Sequence, residues 1–214
     1  MTLGDKFFEE LKEKIQIYFG EKSSHGFDHT QRVYNLALKI SKGEKVDLDV
    51  VKASSLLHDV ARCKEDNREI ECHAEEGAKI AENILREMNF PDDKIKKVCF
   101  AIRIHRYSKG LNAETKEGKI LQDADRLDAL GAICIARVFS YGGKKGRPIY
   151  NPKIKYNSQY KSDSKTSINH FYEKILKIKP ETFKTKEAKK IAKERYKFIE
   201  DFVKRFKLEW EGKK

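Results

Sequence analysis

The chain has 214 residues, of which 39% are hydrophobic and 37% are charged, so it is long enough to bury a sizeable core. No apolar run approaches the roughly 18 residues that a membrane-spanning helix needs, and the N-terminal MTLGDKFFEELKEKI lacks the apolar core of a signal peptide. We therefore expect a soluble, cytoplasmic protein with no membrane partner. Cys63, Cys72, Cys99 and Cys134 form no Cys-x-x-Cys pair, which favours free thiols over a zinc ribbon.

The formal net charge of +12 is concentrated in the last third of the chain. Residues 1–143 hold 24 Lys/Arg against 25 Asp/Glu, a balance of −1, whereas residues 144–214 hold 22 against 9, a balance of +13. One interpretation is an electrostatic surface for a polyanion such as a nucleotide or a nucleic acid. The other is a solvated, Lys-rich helical surface, and the composition leaves both open.

The spacing of hydrophobic residues is helical almost throughout, which predicts an all-α fold. Gly43 ends the second predicted helix, and Pro91 suits the first turn of the fifth. The seven predicted helices are marked by Phe7, Phe8, Leu11, Ile15 and Phe19; by Val33, Leu36, Ala37 and Ile40; by Val50, Val51, Ser54, Leu57 and Val60; and by the approximate ranges 73–88, 91–102, 124–139 and 186–210.

A long polar segment precedes the last predicted helix. It reads YGGKKGRPIYNPKIKYNSQYKSDSKTS, is rich in Gly, Pro, Asn and Ser, and has almost no apolar periodicity. Such a segment inside a compact protein is typical of a functional loop or of disorder. Because the residues after it are too few to build a core alone, we expect a single domain over residues 1–214.

Four potential metal ligands occur at or near the ends of predicted helices. His29 opens the second helix, His58 and Asp59 lie together near the end of the third, and Asp125 lies at the start of the sixth. Two imidazole nitrogens and two carboxylate oxygens suit a divalent ion such as Mn, Fe, Co, Ni or Zn, with Mg possible. Four protein ligands would leave coordination positions open for water and substrate, as in catalytic sites.

The order His, His-Asp, Asp in an all-helical chain resembles the HD-domain superfamily of metal-dependent phosphohydrolases. The segments HGFDHTQRV, LLHDVAR and LQDADRLDALGAI match its successive motifs, and the resemblance covers about residues 20–140. With the following GG…GRPIY segment, they resemble a branch of small bacterial and archaeal HD hydrolases, some described as nucleotide pyrophosphohydrolases. The resemblance implies an HD-type helical bundle whose motif-bearing core is followed, at about 141–214, by the basic loop and the C-terminal helix.

Carried over residue by residue, the resemblance implies that His29, His58, Asp59 and Asp125 are the metal ligands, with Asp59 also counted as catalytic. The last motif of the superfamily is usually an Ala-Asp pair, which selects Asp125 over its neighbours Asp123 and Asp128. Asp128 is expected to support it from the same helix face.

His73 and His105 correspond to histidines that complete a second metal site in some members of the superfamily. Here no extra carboxylate obviously belongs to such a site. We interpret both as catalytic, through phosphate contact or acid/base work, while second-metal ligation and a structural role at a helix end stay open.

Basic residues supply candidates for substrate binding. Arg32, one turn after His29, is expected to bind phosphate or to hold a ligating carboxylate, and Lys109 is a further phosphate candidate. Lys144, Lys145 and Arg147 in the glycine-rich loop are expected to close over a polyphosphate. Gly26 argues against an ordered helix through His25, which we interpret as structural.

The predicted function is metal-dependent hydrolysis of a phosphoester or phosphoanhydride, with a nucleotide as the expected small-molecule substrate. Alarmone hydrolases of the superfamily carry a Glu-Asp pair shortly after the His-Asp motif, but here Arg62 stands in that stretch and Glu65 lies further on, which disfavours that activity. The alternative is a nucleic-acid-binding or regulatory module on an HD scaffold. A diiron oxygenase is disfavoured because no second ligand set is evident. The sequence does not specify the oligomeric state.

Overall fold

The computed structural model describes residues 3–20, 26–159 and 163–214; His25 lies outside these ranges. The described residues form α-helices, short 3-10 turns and connecting segments without any strand, which confirms the all-α prediction. Within them, no helix combines the length and the hydropathy needed to cross a membrane. The α-helices are α1 (Asp5–Ile15), α2 (Phe27–Ser41), α3 (Leu48–Leu57), α4 (Arg62–Asp66), α5 (His73–Glu87), α6 (Asp92–Ile104), α7 (Lys116–Asp128), α8 (Ala132–Lys144), α9 (Ser167–Glu173) and α10 (Lys186–Trp210).

The chain divides into two compact units, residues 1–125 and residues 126–214. The boundary falls inside α7, between Asp125 and Arg126. The expectation of one HD-type domain over residues 1–214 stays a prediction.

The first unit is built around α3. Helices α1, α2 and α6 pack against α3, and α5 packs against α6. The apolar faces predicted for the first three helices supply much of this core, because their i, i+3, i+4 spacing places them on one side of each helix. The largest fully buried side chains of this unit include Phe8, Leu11, Ile15, Ile40, Leu56, Leu57, Leu85, Ile95 and Ile102.

A buried ion pair joins the first turns of α3 and α6. Oδ1 of Asp47 accepts hydrogen bonds from the backbone N–H groups of Asp49 and Val50, at 3.1 and 3.4 Å, and so caps α3. Nζ of Lys94 on α6 lies 2.6 Å from Oδ2 of the buried Asp49 and 3.1 Å from Asp47. Lys94 therefore links the N-terminal ends of α3 and α6. Removing one partner of this pair would leave an uncompensated charge, which is destabilising.

Several predicted helix boundaries are corrected. Phe19 lies beyond α1 and the 3-10 turn that follows it, and Val60 lies beyond α3. The predicted helix over 124–139 is two helices, because Gly131 between α7 and α8 has φ 85° and ψ −160°, a conformation that L-residues rarely adopt. Asp125 therefore lies in the last turn of α7 and not at the start of a helix.

The second unit packs α8 against α9 and α10. Phe139, Phe171 and Phe202 form its aromatic centre, with ring centroids 5.8 to 6.0 Å apart. The long polar segment is shorter than predicted, because its first four residues continue α8 and its last residue begins α9. The loop therefore precedes α9 and not the C-terminal helix, with residues 160–162 outside the described ranges.

Candidate metal centre

Six potential ligands from five helices meet inside the first unit, and each lies at or beside a helix end. His29 is in the first turn of α2, His58 caps the C-terminus of α3 and Asp59 follows it. His73 is the first residue of α5, His105 caps the C-terminus of α6, and Asp125 is in the last turn of α7. The side chains of the first five are at most 5% exposed, whereas that of Asp125 is 30% exposed.

Three of the ligands form a first triad, His29, His58 and Asp125. Nε2 of His29 lies 3.4 Å from Nε2 of His58 and 3.4 Å from Oδ1 of Asp125. Oδ2 of Asp59 faces the same point, 3.7 Å from Nε2 of His29 and 3.8 Å from Nε2 of His58. The structure therefore brings together the four residues that the sequence analysis assigned to one metal ion.

The remaining ligands form a second triad, Asp59, His73 and His105. Oδ1 of Asp59 lies 3.2 Å from Nε2 of His73 and 3.7 Å from Nε2 of His105, and these two nitrogens are 3.2 Å apart. The two oxygens of Asp59 thus serve different triads. The shared carboxylate of Asp59 could serve as the acidic ligand that the sequence analysis did not find for a second site.

The two histidines that cap helices have a defined proton position. Nδ1 of His58 lies 2.8 Å from the carbonyl oxygen of Ser55, and Nδ1 of His105 lies 2.6 Å from that of Ile102. Because a carbonyl oxygen only accepts hydrogen bonds, both Nδ1 atoms must donate. In the neutral rings the Nε2 atoms then present lone pairs to the centre, which is the form that binds a metal ion.

The carboxylates of the centre stay ionised. Burial on its own would raise the pKa of Asp59, but the neighbouring imidazoles, first His58 and then His73, outweigh it and hold this pKa well below its usual range. Burial would also raise the pKa of Asp125, but the hydrogen bond from His29 outweighs burial and lowers this pKa to about 2. Burial, followed by the proximity of the His58 imidazole, lowers the pKa of His105 to about 4. Ionised carboxylates and a neutral imidazole are what metal binding requires.

The donor set fits divalent transition ions. Two atoms that each lie about 2.1 Å from one ion are themselves roughly 3 to 3.5 Å apart. Most ligand separations in the two triads lie close to this range, and the three ligand atoms of each triad lie within 4.8 Å of one another. Lone pairs and carboxylate oxygens that converge this closely repel each other unless a proton or a cation lies among them. Nitrogen and oxygen donors in this proportion suit Mn, Fe, Co, Ni or Zn.

A carboxylate on α4 holds His73 from behind. Oε2 of Glu65 lies 2.5 Å from Nδ1 of His73 and accepts from its backbone N–H at 2.6 Å. Arg106 donates to the same oxygen at 3.1 Å. Sequence reasoning noted Glu65 only as an acidic residue displaced from a family motif, and it missed Arg106. The position of Arg106 directly after His105 was the one available signal.

The predicted substrate-binding residues occupy varied positions. Arg32 pairs with Asp28 on α2 at 2.6 Å. Lys109 is exposed and ends a 3-10 turn four residues after His105. In the second unit, Lys144 ends α8, and Lys145 and Arg147 follow it, Arg147 pairing with Asp163. Substrate binding by these residues stays a prediction.

Two further expectations concern support and redox state. The carboxylate of Asp128, expected to support Asp125, pairs with Arg137 on α8 at 2.7 Å. The four cysteines are free thiols, as predicted, and Cys99 and Cys134 are buried.

Comparison with known proteins identifies the family. The family profile described as the HD domain matches residues 26–130, a segment that contains all six potential ligands. A crystal structure of an HD-superfamily hydrolase from Bacillus thuringiensis is 34% identical and covers 97% of this chain and 98% of its own, with a TM-score of 0.78.

A second relative is the uncharacterized Bacillus subtilis protein YpgQ, 31% identical over 95% of this chain and 94% of its own length. The crystal structure of YpgQ in complex with ADP matches this chain with a TM-score of 0.73 and 26% identity, over 95% of each chain. Domain match, relatives and geometry agree: the chain belongs to the HD-domain superfamily of metal-dependent phosphohydrolases.

Proposed function

We propose that this protein hydrolyses a phosphoester or phosphoanhydride bond of a nucleotide, using divalent ions held by its two triads. The proposal is carried by one observation, the position of Asp59 with one oxygen toward each triad. The resolved complex of YpgQ with ADP supports a nucleotide as the ligand. Pyrophosphate release from a triphosphate and phosphate release from a shorter nucleotide are both compatible with this site.

In this proposal the first triad and Asp59 hold one ion, and Asp59, His73 and His105 provide a second position. A divalent ion bound there would supply Lewis acidity, which would lower the pKa of water and polarise a phosphoryl oxygen. His73 and His105 then act as ligands and not as free acid/base groups, because their Nε2 atoms point at Asp59 and at each other.

The residues of the chain itself prepare the site for an anionic substrate. Ser55 and Ile102 orient the imidazoles of His58 and His105 through their carbonyl oxygens, so that no reorganisation is needed when a ligand arrives. Solvent reaches the centre at Asp125, whose side chain is 30% exposed. Arg32, Lys109, Lys144, Lys145 and Arg147 are proposed to neutralise phosphate charge.

The test is a nucleotide panel with the purified, chelator-treated protein. Nucleoside mono-, di- and triphosphates are incubated with Mn, Co, Ni, Zn, Fe(II) or Mg, and released phosphate and pyrophosphate are measured separately. We expect turnover only after metal is restored and a loss of at least about 10³-fold in Asp59→Ala. Asp93→Ala is the matched control, because the side chain of Asp93 on α6 is 74% exposed and should leave turnover unchanged. Equal turnover in Asp59→Ala and Asp93→Ala would overturn the proposal.

The charge of the last third favours a second candidate, binding of nucleic acid. Residues 144–214 carry a net +13, which would give an affinity that falls steeply with salt. This activity would survive in Asp59→Ala, whereas hydrolysis would not.

The second triad also removes the sequence argument against a diiron oxygenase, which was the lack of a second ligand set. The hydrolase relatives favour hydrolysis over oxygenation. Incubation with Fe(II) in the nucleotide panel, with and without oxygen, distinguishes the two activities.

A further inference from the structure

Glu65 contacts both the ring and the backbone of His73. Its Oε2 accepts from the N–H of His73 at 2.6 Å, and N–H groups at the start of a helix have no partner within the helix. The same oxygen lies 2.5 Å from Nδ1 of the ring. Glu65 therefore caps α5 from outside and fixes the ring of the first residue of that helix.

A second charged side chain holds Glu65 in place. Arg106 donates to Oε2 of Glu65 at 3.1 Å, and the two side chains are 18% and 19% exposed. Because Arg106 directly follows His105, this contact links the two histidines of the second triad through Glu65. Glu65 thus contacts the backbone of His73 and the side chain of the residue that follows His105.

The contacts decide which nitrogen of His73 carries a proton. Nδ1 has two neighbours, Oε2 of Glu65 at 2.5 Å and a guanidinium nitrogen of Arg62 at 3.3 Å. Arginine only donates, so Nδ1 cannot serve both neighbours with one proton state. The shorter contact, to a carboxylate that the backbone of His73 also holds, requires a proton on Nδ1.

We propose that Glu65 is a positioning residue of the second triad, which keeps a proton on Nδ1 of His73 and so directs Nε2 toward the cation position beside Asp59 and His105. In His58 and His105 a backbone carbonyl has this role, and no substitution removes it. In His73 a replaceable side chain has it. The inference rests on the proposed function in that the second triad is taken as a cation site.

The first test detects the proton directly in metal-free protein. Proton-nitrogen NMR of the histidine rings, with assignment by His73→Gln, should show a slowly exchanging Nδ1–H of His73 in the wild type. Glu65→Leu should lose this protected signal, and Glu65→Gln, which keeps an accepting oxygen, should retain part of it. Glu69→Leu is the matched control, because the side chain of Glu69 is exposed and accepts a hydrogen bond from Asn67 at 3.1 Å, away from His73. An unchanged, protected signal in Glu65→Leu overturns the inference.

The second test is calorimetric titration with Mn²⁺. Glu65→Gln should weaken the binding step of the second triad by about 10- to 100-fold, as expected when a residue that orients a ligand is lost, and leave the other step unchanged. Equal affinity in Glu65→Gln and wild type at both steps counts against the role. Since the NMR measurement needs neither metal nor substrate, a protected signal that depends on Glu65 in a protein without hydrolase activity would refute the proposed function and leave this inference standing.

Discussion

The first and second triads share Asp59 but differ in their access to solvent. All three residues of the second triad are buried, with side chains at most 5% exposed. The first triad includes Asp125, whose side chain is 30% exposed. Electrostatic interactions strengthen as water is excluded, so the second triad is the better place to hold a cation permanently. Solvent reaches the first triad at Asp125, and we expect substrate to enter from this side.

The histidines of the centre are fixed in two ways, and each triad contains one histidine at a helix C-terminus and one in the first turn of a helix. His58 and His105 are both C-caps, and each donates from Nδ1 to the carbonyl three residues earlier. The last carbonyls of a helix have no partner within it, so a histidine at this position satisfies one of them and orients its own ring at the same time. His73 begins a helix and has no such carbonyl, so it depends on Glu65. For these three histidines, the ring contact at a helix C-terminus is local, whereas that of His73 at a helix N-terminus comes from Glu65 on another element.

The largest expected effect separates the two triads by removing one Nε2 at a time. Asparagine places an amide nitrogen near the Nδ1 position, so His58→Asn and His105→Asn keep the cap and lose the ligand atom. We expect each variant to lose one bound ion per chain, measured by elemental analysis after dialysis. Turnover should fall by at least about 10³-fold in His58→Asn and by about 10- to 100-fold in His105→Asn, because only the first loses the solvent-accessible position.

The matched variants His58→Ala and His105→Ala show the contribution of the caps. The free energy of unfolding of each alanine variant should be about 1 kcal/mol lower than that of its asparagine counterpart. Urea denaturation, in which the alanine variant unfolds at the lower concentration, measures this difference. Equal losses of turnover in His58→Asn and His105→Asn would contradict the assignment of substrate entry to the first triad.

A smaller effect is expected at Gln122, which holds the backbone next to the second triad. Nε2 of this fully buried side chain on α7 donates to the carbonyl oxygens of Ile104, at 2.5 Å, and of Leu111, at 2.9 Å. Gln122→Leu leaves both carbonyls unsatisfied and should lower the free energy of unfolding by about 1 to 3 kcal/mol. In a calorimetric titration of Gln122→Leu with Mn²⁺, the affinity of the ion-binding step that belongs to the first triad should be unchanged.

Gln31→Leu provides the comparison for Gln122→Leu. Gln31 on α2 donates to Asn35 at the surface, so its loss should change stability by less than about 0.5 kcal/mol in urea denaturation. If both leucine variants unfold at the same urea concentration, Gln122 does not hold the segment after α6.

Helix periodicity was sufficient for the fold class, and motif order was sufficient to select His29, His58, Asp59 and Asp125, which the structure brings together. Periodicity failed at α7 and α8, because Leu127, Leu130, Cys134 and Val138 continue one apolar phase across Gly131 although the backbone turns there. Only the φ of 85° at Gly131 reveals the break. A sequence contains the apolar pattern but not the backbone conformation that interrupts it.

The sequence analysis named the residues of the second triad but did not predict that they lie together. His73 and His105 were recognised, yet their carboxylate was missed because Asp59 had already been assigned to the first ion. Sequence identifies a side chain, whereas the direction of its two oxygens depends on how the turn after α3 is packed. Glu65 escaped prediction for a related reason, since α4 is a five-residue helix without an apolar face and its contact to His73 is tertiary.

The smallest expected effect tests whether the first triad faces substrate, through Arg32 one turn after His29. Arg32 pairs with Asp28 at 2.6 Å, and their side chains are 26% and 72% exposed, so the pair itself should contribute less than about 0.5 kcal/mol to stability. Arg32→Ala should raise KM for the nucleotide by about 10-fold, because a charged hydrogen bond to phosphate is lost, and leave kcat within about twofold. Asp28→Ala should leave KM unchanged. A rise of KM in Asp28→Ala as large as in Arg32→Ala would mean that the ion pair, and not a phosphate contact, accounts for the role of Arg32.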